Sequence, residues 1–233
     1  MRGIDVAKHL QREIEKLKKE ILSLGAIVED SVRMAVSSME DRDSELAERV
    51  IKGDVEIDQA EVDLEEDCLK ILALHQPVAI DLRFIIAVLK INNDLERIGD
   101  LAANIAERAQ FLNTHPRIQI PFDLLGLADK ARWMLRSCLE SLVNLDARQA
   151  YKICRTDDEV DAINREMYAL VTDALRKNPE QVDMLIPYIS VSRYLERIAD
   201  HATNIAEDVI YMVDGIIARH KAEQAELNVN RKQ

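Results

Sequence analysis

Leu95–Glu107 reads LERIGDLAANIAE, and one hundred residues later Leu195–Glu207 reads LERIADHATNIAE, ten identities in thirteen. A repeat of that length marks two copies of one supersecondary unit, so whatever the unit does is expected twice. The shared positions are mostly polar. Glu96, Asp100, Asn104 and Glu107 recur as Glu196, Asp200, Asn204 and Glu207, a ladder along one face of a helix.

Outward from the repeat, the chain reads as helices only. Glycine (6) and proline (5) are scarce in 233 residues, against averages of about 7 % and 5 %, so turns are few and helices long. No segment alternates apolar and polar residues between turn signals as a strand would. The spacing Leu10, Ile14, Leu17, Ile21, Leu24, Val28 predicts a first helix to about Met39, with Gly25 an irregularity inside it. A second runs to about Leu74, kinked or interrupted near Gly53, with Val55, Val62, Leu69 and Leu72 inward; His75-Gln76-Pro77 ends it. The third has the cleanest stripe, Phe84 through Val88, Ile91, Leu95 and Ile98 to Leu112, and is long enough to need two partners.

Asn113–Phe122, NTHPRIQIPF, separates the units. The plan then repeats: a fourth helix on Leu124, Leu127, Ala131, Met134, Cys138, Leu142 and Leu145; a fifth on Val160, Ile163, Met167, Leu170 and Ala174; a turn at Asn178-Pro179; and a sixth on Tyr188 to Met212, with Pro187 near its first turn. Residues from about Ala222 are polar and are expected to fray. The expected fold is all-α, two tandem pseudo-symmetric antiparallel three-helix bundles over residues 1–113 and 123–222, each with its own core. A single continuous bundle is the alternative.

Two acidic pairs precede the hairpin turns, Asp54/Asp58 and Asp157/Asp161, and two follow them, Glu96/Asp100 and Glu196/Asp200. One i,i+4 pair means little, since 43 acids in 233 residues give about eight by chance. Position is more telling. The centres of Asp54/Asp58 and Glu96/Asp100 are equidistant from Pro77, and those of Asp157/Asp161 and Glu196/Asp200 from the Asn178–Pro179 bond, so each antiparallel hairpin brings four carboxylates from two helices to one level. Such repulsion favours a cation. Oxygen-only ligation suits Mg²⁺, Ca²⁺, Mn²⁺ or iron, whereas zinc more often recruits His or Cys. Asn104 and Asn204 would add ligands or hold carboxylates in place. A splayed, hydrated acidic face without a specific ion is the competing reading, and the residues alone do not choose.

Other side chains suggest less. Arg97 and Arg197 are expected in surface ion pairs with Asp94, Asp100 or Asp200, and His201, whose counterpart is Leu101, is read as no ligand. A net charge of −12 and 4 % aromatic residues argue against a nucleic-acid partner. Three cysteines without a CxxC pair fit a reducing compartment, and no apolar stretch has the length of a signal peptide or membrane span. A cytoplasmic protein is therefore expected. There is no phosphate loop, nucleophile elbow or HExxH, so no enzyme is expected. A carboxylate-bridged di-iron oxidase needs Glu-x-x-His pairs, and neither unit has one.

The stretch HQPVAIDLRFIIAVLKINNDLERIGDLAANIAE, the second LERIADHATNIAE and the doubled three-helix plan resemble the PhoU family of bacterial phosphate-uptake and phosphate-signalling regulators over nearly the whole chain. The family's E/D-x3-D motifs match Asp54/Asp58, Glu96/Asp100, Asp157/Asp161 and Glu196/Asp200. Some members hold multinuclear iron or other metal clusters there and others none, so the resemblance implies a possible divalent metal or iron cluster of unspecified identity. It also implies a negative regulator of phosphate uptake and of the starvation response, an adaptor between the phosphate ABC transporter and a phosphate-sensing histidine kinase. A transporter accessory or structural role independent of the kinase is the alternative. A homodimer is the expected assembly.

Overall fold

The structure, a computed structural model, describes residues 2–216; the polar segment from Ala222 and the end of the second expected domain lie outside them. Six long helices follow one another: α1 (Arg2–Glu40), α2 (Ser44–His75), α3 (Ala79–Asn113), α4 (Leu124–Asn144), α5 (Ala147–Lys177) and, after a 3₁₀ turn at Pro179–Gln181, α6 (Val182–Asp214). There is no strand among the described residues.

The duplication extends to the turns. Asp43 caps α2 by accepting from the Leu46 amide, and Asp146 caps α5 by accepting from Arg148 and Gln149, which satisfies helix-end donors that would otherwise be orphaned. The residue before each cap, Arg42 or Leu145, is in the left-handed region at φ 60 and 51. Each turn thus reverses the chain with the same backbone at an offset of 103. Ser38 and Ser141, again 103 apart, donate to Ala35 and Cys138 carbonyls.

Helix α3 packs on α1, α2 and α6, and α6 packs on α3, α4 and α5. The two helices are therefore the central pair, with one hairpin partner and one flanking helix on either side. Each buries residues on most of its circumference, Ile85 to Leu112 in α3 and Leu185 to Ile210 in α6. One apolar core consequently runs through both units, with only a small satellite of Met167, Val171 and Leu185. The expectation of two separate cores is corrected here: helices apolar on two faces must be covered twice, and each repeat covers the other.

Gly25 is part of that arrangement. A Cβ there would lie 2.6 Å from Leu139 Cδ2 of α4, so the missing side chain lets α1 approach α4. Gly53 does not interrupt α2, which is continuous through it, and a Cβ at Gly53 would meet nothing within 4 Å. Pro187 lies six residues into α6 rather than in its first turn, because the helix begins at Val182; so early a proline forfeits little more than one backbone hydrogen bond.

The inward face of α2 also differs from expectation. Ala47, Val50, Ile57, Leu64, Cys68 and Ile71 are buried, whereas Val55, Val62 and Leu69 are 70 %, 46 % and 52 % exposed. The same register holds in α5, where Ala150, Ile153, Val160, Met167 and Val171 are buried. In the same way Leu145, expected in the fourth helix but lying just beyond it, and Leu170 of α5 are exposed.

Candidate metal centre

The α2–α3 hairpin packs closely at Gly99, where a Cβ would stand 3.0 Å from Ile57 and 3.5 Å from Asp54 Oδ1. That approach sets Asp54 beside α3. Asp54 and Asp58 of α2 and Asp100 of α3 each present one carboxylate oxygen, all within 4.8 Å of one another. In the α5–α6 hairpin Asp161, Glu196 and Asp200 do the same. Each hairpin therefore joins three of its four acids tightly. The fourth stands alongside: Glu96 feels Asp100, Glu61 and Asp58, and Asp157 feels Asp200 and Asp161.

Burial is the leading cause of a raised pKa throughout, with like charges second. Asp54, Asp157 and Asp200 are pushed up to about 6, and Glu96, Glu196 and Glu61 also rise. Partial desolvation raises the free energy of each carboxylate, and neighbouring carboxylates raise it further. One oxygen of Asp157 is buried without a hydrogen bond, although the Thr203 hydroxyl beside it opposes the rise. The three converging oxygens of each hairpin fit a hard cation, which would neutralise the clustered charge. The two sites differ in competition. Arg165 reaches Asp161 at 3.6 Å, while among the described residues no ion pair joins a Lys or Arg to the first cluster.

The expected helpers are placed elsewhere. The Asn104 amide donates to the Asp100 backbone carbonyl at 2.8 Å, and Asn204 donates to Asp94 of the other unit at 3.3 Å. Neither amide nitrogen meets a cluster carboxylate. Asp94 also pairs with His201 Nδ1 at 2.8 Å, so His201 ties α6 to α3. Arg97 donates to Asn93 at 3.0 Å instead of forming the expected ion pair, and Arg197 acts on Glu196 and Asp200 only by its charge.

Glu61 is the acid that a search for duplicated i,i+4 pairs passes over, because its counterpart at +103 is Asn164. Its signal is local: Asp58, Glu61 and Glu65 lie three and four residues apart, on one helix face. The position also makes a contact between the hairpin helices in both units. The Asn92 amide donates to the Glu61 carbonyl at 2.8 Å, and at the matching place the Ser192 hydroxyl donates to the Asn164 side chain at 3.2 Å.

Comparison with known proteins agrees with this duplicated layout. The chain matches the family model of the PhoU domain twice, over residues 21–109 and 124–209. It is 32 % identical to a phosphate-specific transport system accessory protein PhoU homolog of Clostridium acetobutylicum, over 89 % of this chain and 95 % of that one. With a homolog of the same name from Pseudomonas putida it shares 36 % identity, over 92 % of this chain and 84 % of the other. The crystal structure of PhoU from Pseudomonas aeruginosa superposes with a TM-score of 0.85 at 35 % identity, covering 88 % of this chain and 99 % of that one. The structure of the phosphate transport system regulatory protein PhoU from Streptococcus pneumoniae gives 0.79 at 28 % identity, covering 89 % and 98 %. On the double match and these full-length likenesses, the chain belongs to the PhoU family.

Proposed function

We propose that this chain is a cytoplasmic negative regulator of phosphate uptake and of the phosphate-starvation response, an adaptor between the phosphate ABC transporter and a phosphate-sensing histidine kinase. The observation that carries this reading is the pair of PhoU domains spanning both bundles, together with relatives named for the phosphate-specific transport system. The physical form suits it. Long helices locked by one shared core make a stiff body, and none of the described helices is long and apolar enough to cross a membrane. Contact with membrane components would therefore be through other proteins. A formal charge of −12 turns away nucleic acid. The assembly expected is a homodimer, to be checked by sedimentation.

The carboxylate clusters are assigned to a divalent cation or a small iron cluster. Asp54, Asp58 and Asp100 would hold it in the first unit with Glu96 adjoining, and Asp161, Glu196 and Asp200 in the second with Asp157 adjoining. The bound ion would supply positive charge that fixes α2 to α3 and α5 to α6. The chain's own contribution is placement: Gly99 and the hairpin turns hold the acids at one level.

The test is genetic. Deleting the gene should raise a phosphate-starvation reporter in phosphate-rich medium, and this chain supplied in trans should lower it again. A second reading, a transporter accessory without a signalling role, is favoured by the word accessory in the relatives' names. Under it the deletion alters phosphate uptake while the reporter stays unchanged.

A further inference from the structure

The exposed apolar ridge of α2 is the feature that neither the fold nor the carboxylate sites account for. Val55, Val62 and Leu69 are 70 %, 46 % and 52 % exposed, and their spacing of seven places them along one line of the helix, about 10 Å between successive residues. Scattered surface apolar residues are ordinary, but the duplication supplies a control. At +103, in the same register of α5, stand Asp158, Arg165 and Thr172, polar and exposed. The buried positions keep their apolar character in both copies: Ile57 with Val160, Leu64 with Met167, Cys68 with Val171. The fold therefore tolerates polar residues along this line, and the first copy alone carries apolar ones.

The flanks show what the ridge suits. Asp58 and Glu65 lie on one side of it and Gln59 and Glu66 on the other, all exposed. The lysines at either end are already turned to acids, Lys52 to Glu48 at 2.6 Å and Lys70 to Glu66 at 3.3 Å and Asp67 at 3.1 Å. A second copy laid antiparallel on this face would set Asp58 and Glu65 against their own like charges, which is unfavourable. We propose that the outer face of α2 is a docking surface for an amphipathic helix of another protein, whose apolar stripe is bordered by lysines or arginines. The apolar stripe covers Val55, Val62 and Leu69, and the basic borders meet the acids beside them, a helix-on-helix seam read at heptad spacing. The inference stands on the face itself and does not depend on the phosphate reading.

The probe is a synthetic Leu/Lys amphipathic helix, titrated by fluorescence anisotropy against the whole protein in EDTA, because Asp58 also belongs to the first carboxylate cluster. The diagnostic variant gives the first unit the second unit's surface, Val55→Asp, Val62→Arg and Leu69→Thr. It adds one negative and one positive charge, so net charge is unchanged, and far-UV circular dichroism verifies that it folds. Binding should weaken about tenfold or more in this variant, and a Leu/Glu helix should not bind the native chain. The reciprocal variant, Asp158→Val, Arg165→Val and Thr172→Leu, should bind no more of the probe than the native chain, because that line of α5 is flanked by Asp161, Tyr168, Ala162 and Ala169 and lacks the acidic borders. Equal binding to the native chain and the first variant would mean general attraction to an acidic protein and would overturn the proposal. So would a self-association, seen by sedimentation, that the first variant abolishes, since the occupant would then be a second copy.

Discussion

Replacing Asp157 by Asn should make the metal-free protein more stable at neutral pH and leave it unchanged in acid. One oxygen of Asp157 is buried without a hydrogen bond, and burial first, then Asp200 and Asp161, lift its pKa from an ordinary 3.8 to about 6. The unfolded chain releases this proton near pH 4, whereas the folded chain keeps it to about pH 6. Between those values the folded state binds more protons, so stability falls as pH rises, and the full cost is present above the folded pKa. At 1.36 kcal/mol per pKa unit the cost is about 3 kcal/mol, reduced by solvent screening of a partly exposed group to about 1–2 kcal/mol. For a chain of this length that is about 2–8 °C in Tm. Thermal unfolding followed by far-UV circular dichroism, in EDTA at about pH 7.5 and again at about pH 4, reads the difference directly. The Asn variant should melt higher at the first pH and with the native chain at the second. Equal or lower stability at neutral pH, or the same shift at both, would refute the reasoning that these carboxylates are held together at a cost.

Two further expectations follow from the same geometry. Changing Glu96 to Gln and Asp100 to Asn together should abolish cation binding at the first cluster and spare the second, as read by calorimetric titration with Fe²⁺, Mn²⁺, Zn²⁺, Mg²⁺ and Ca²⁺; if the native chain binds none of them more tightly than the variant, the first cluster is a hydrated acidic face. The two glycines should respond oppositely in thermal melts: Gly53→Ala, with open space around it, should stabilise by about 0.5–1 kcal/mol, while Gly25→Val, driven into Leu139 of α4, should cost about 1–3 kcal/mol, and a neutral Gly25→Val would mean that the two units do not pack closely there.

The architecture was legible because the repeat and the hairpin symmetry are long-range signals written in local pattern. The stripe from Phe84 to Leu112 is unambiguous, and equal distances from Pro77 and from the Asn178–Pro179 bond put the acids of α2 near those of α3, and of α5 near α6. On α2 the pattern was ambiguous. Ile57, Leu64 and Ile71 form one line spaced by seven, and Val55, Val62 and Leu69 form another. Both satisfy helical periodicity, and only the first is buried. Comparison with α5 resolves it, since Val160 and Met167 keep the first line apolar while Asp158 and Arg165 make the second polar. The shared core was hidden for another reason: burial on the second face of α3 and α6 comes from the other repeat, a contact between positions about one hundred residues apart. The same holds for Asp94 with His201 and Asn204, where Tyr194 stands at the position matching Asp94, so no repeated motif signals the contact.

The most direct measurement of the regulatory account is a phosphate-starvation reporter in phosphate-rich medium, compared between a strain lacking this gene and one lacking both this gene and the phosphate-sensing kinase. An adaptor that restrains the kinase predicts a high reporter in the first strain and a return to the uninduced level in the second. A reporter that stays low in the single deletion, or stays high when the kinase is also removed, would contradict it.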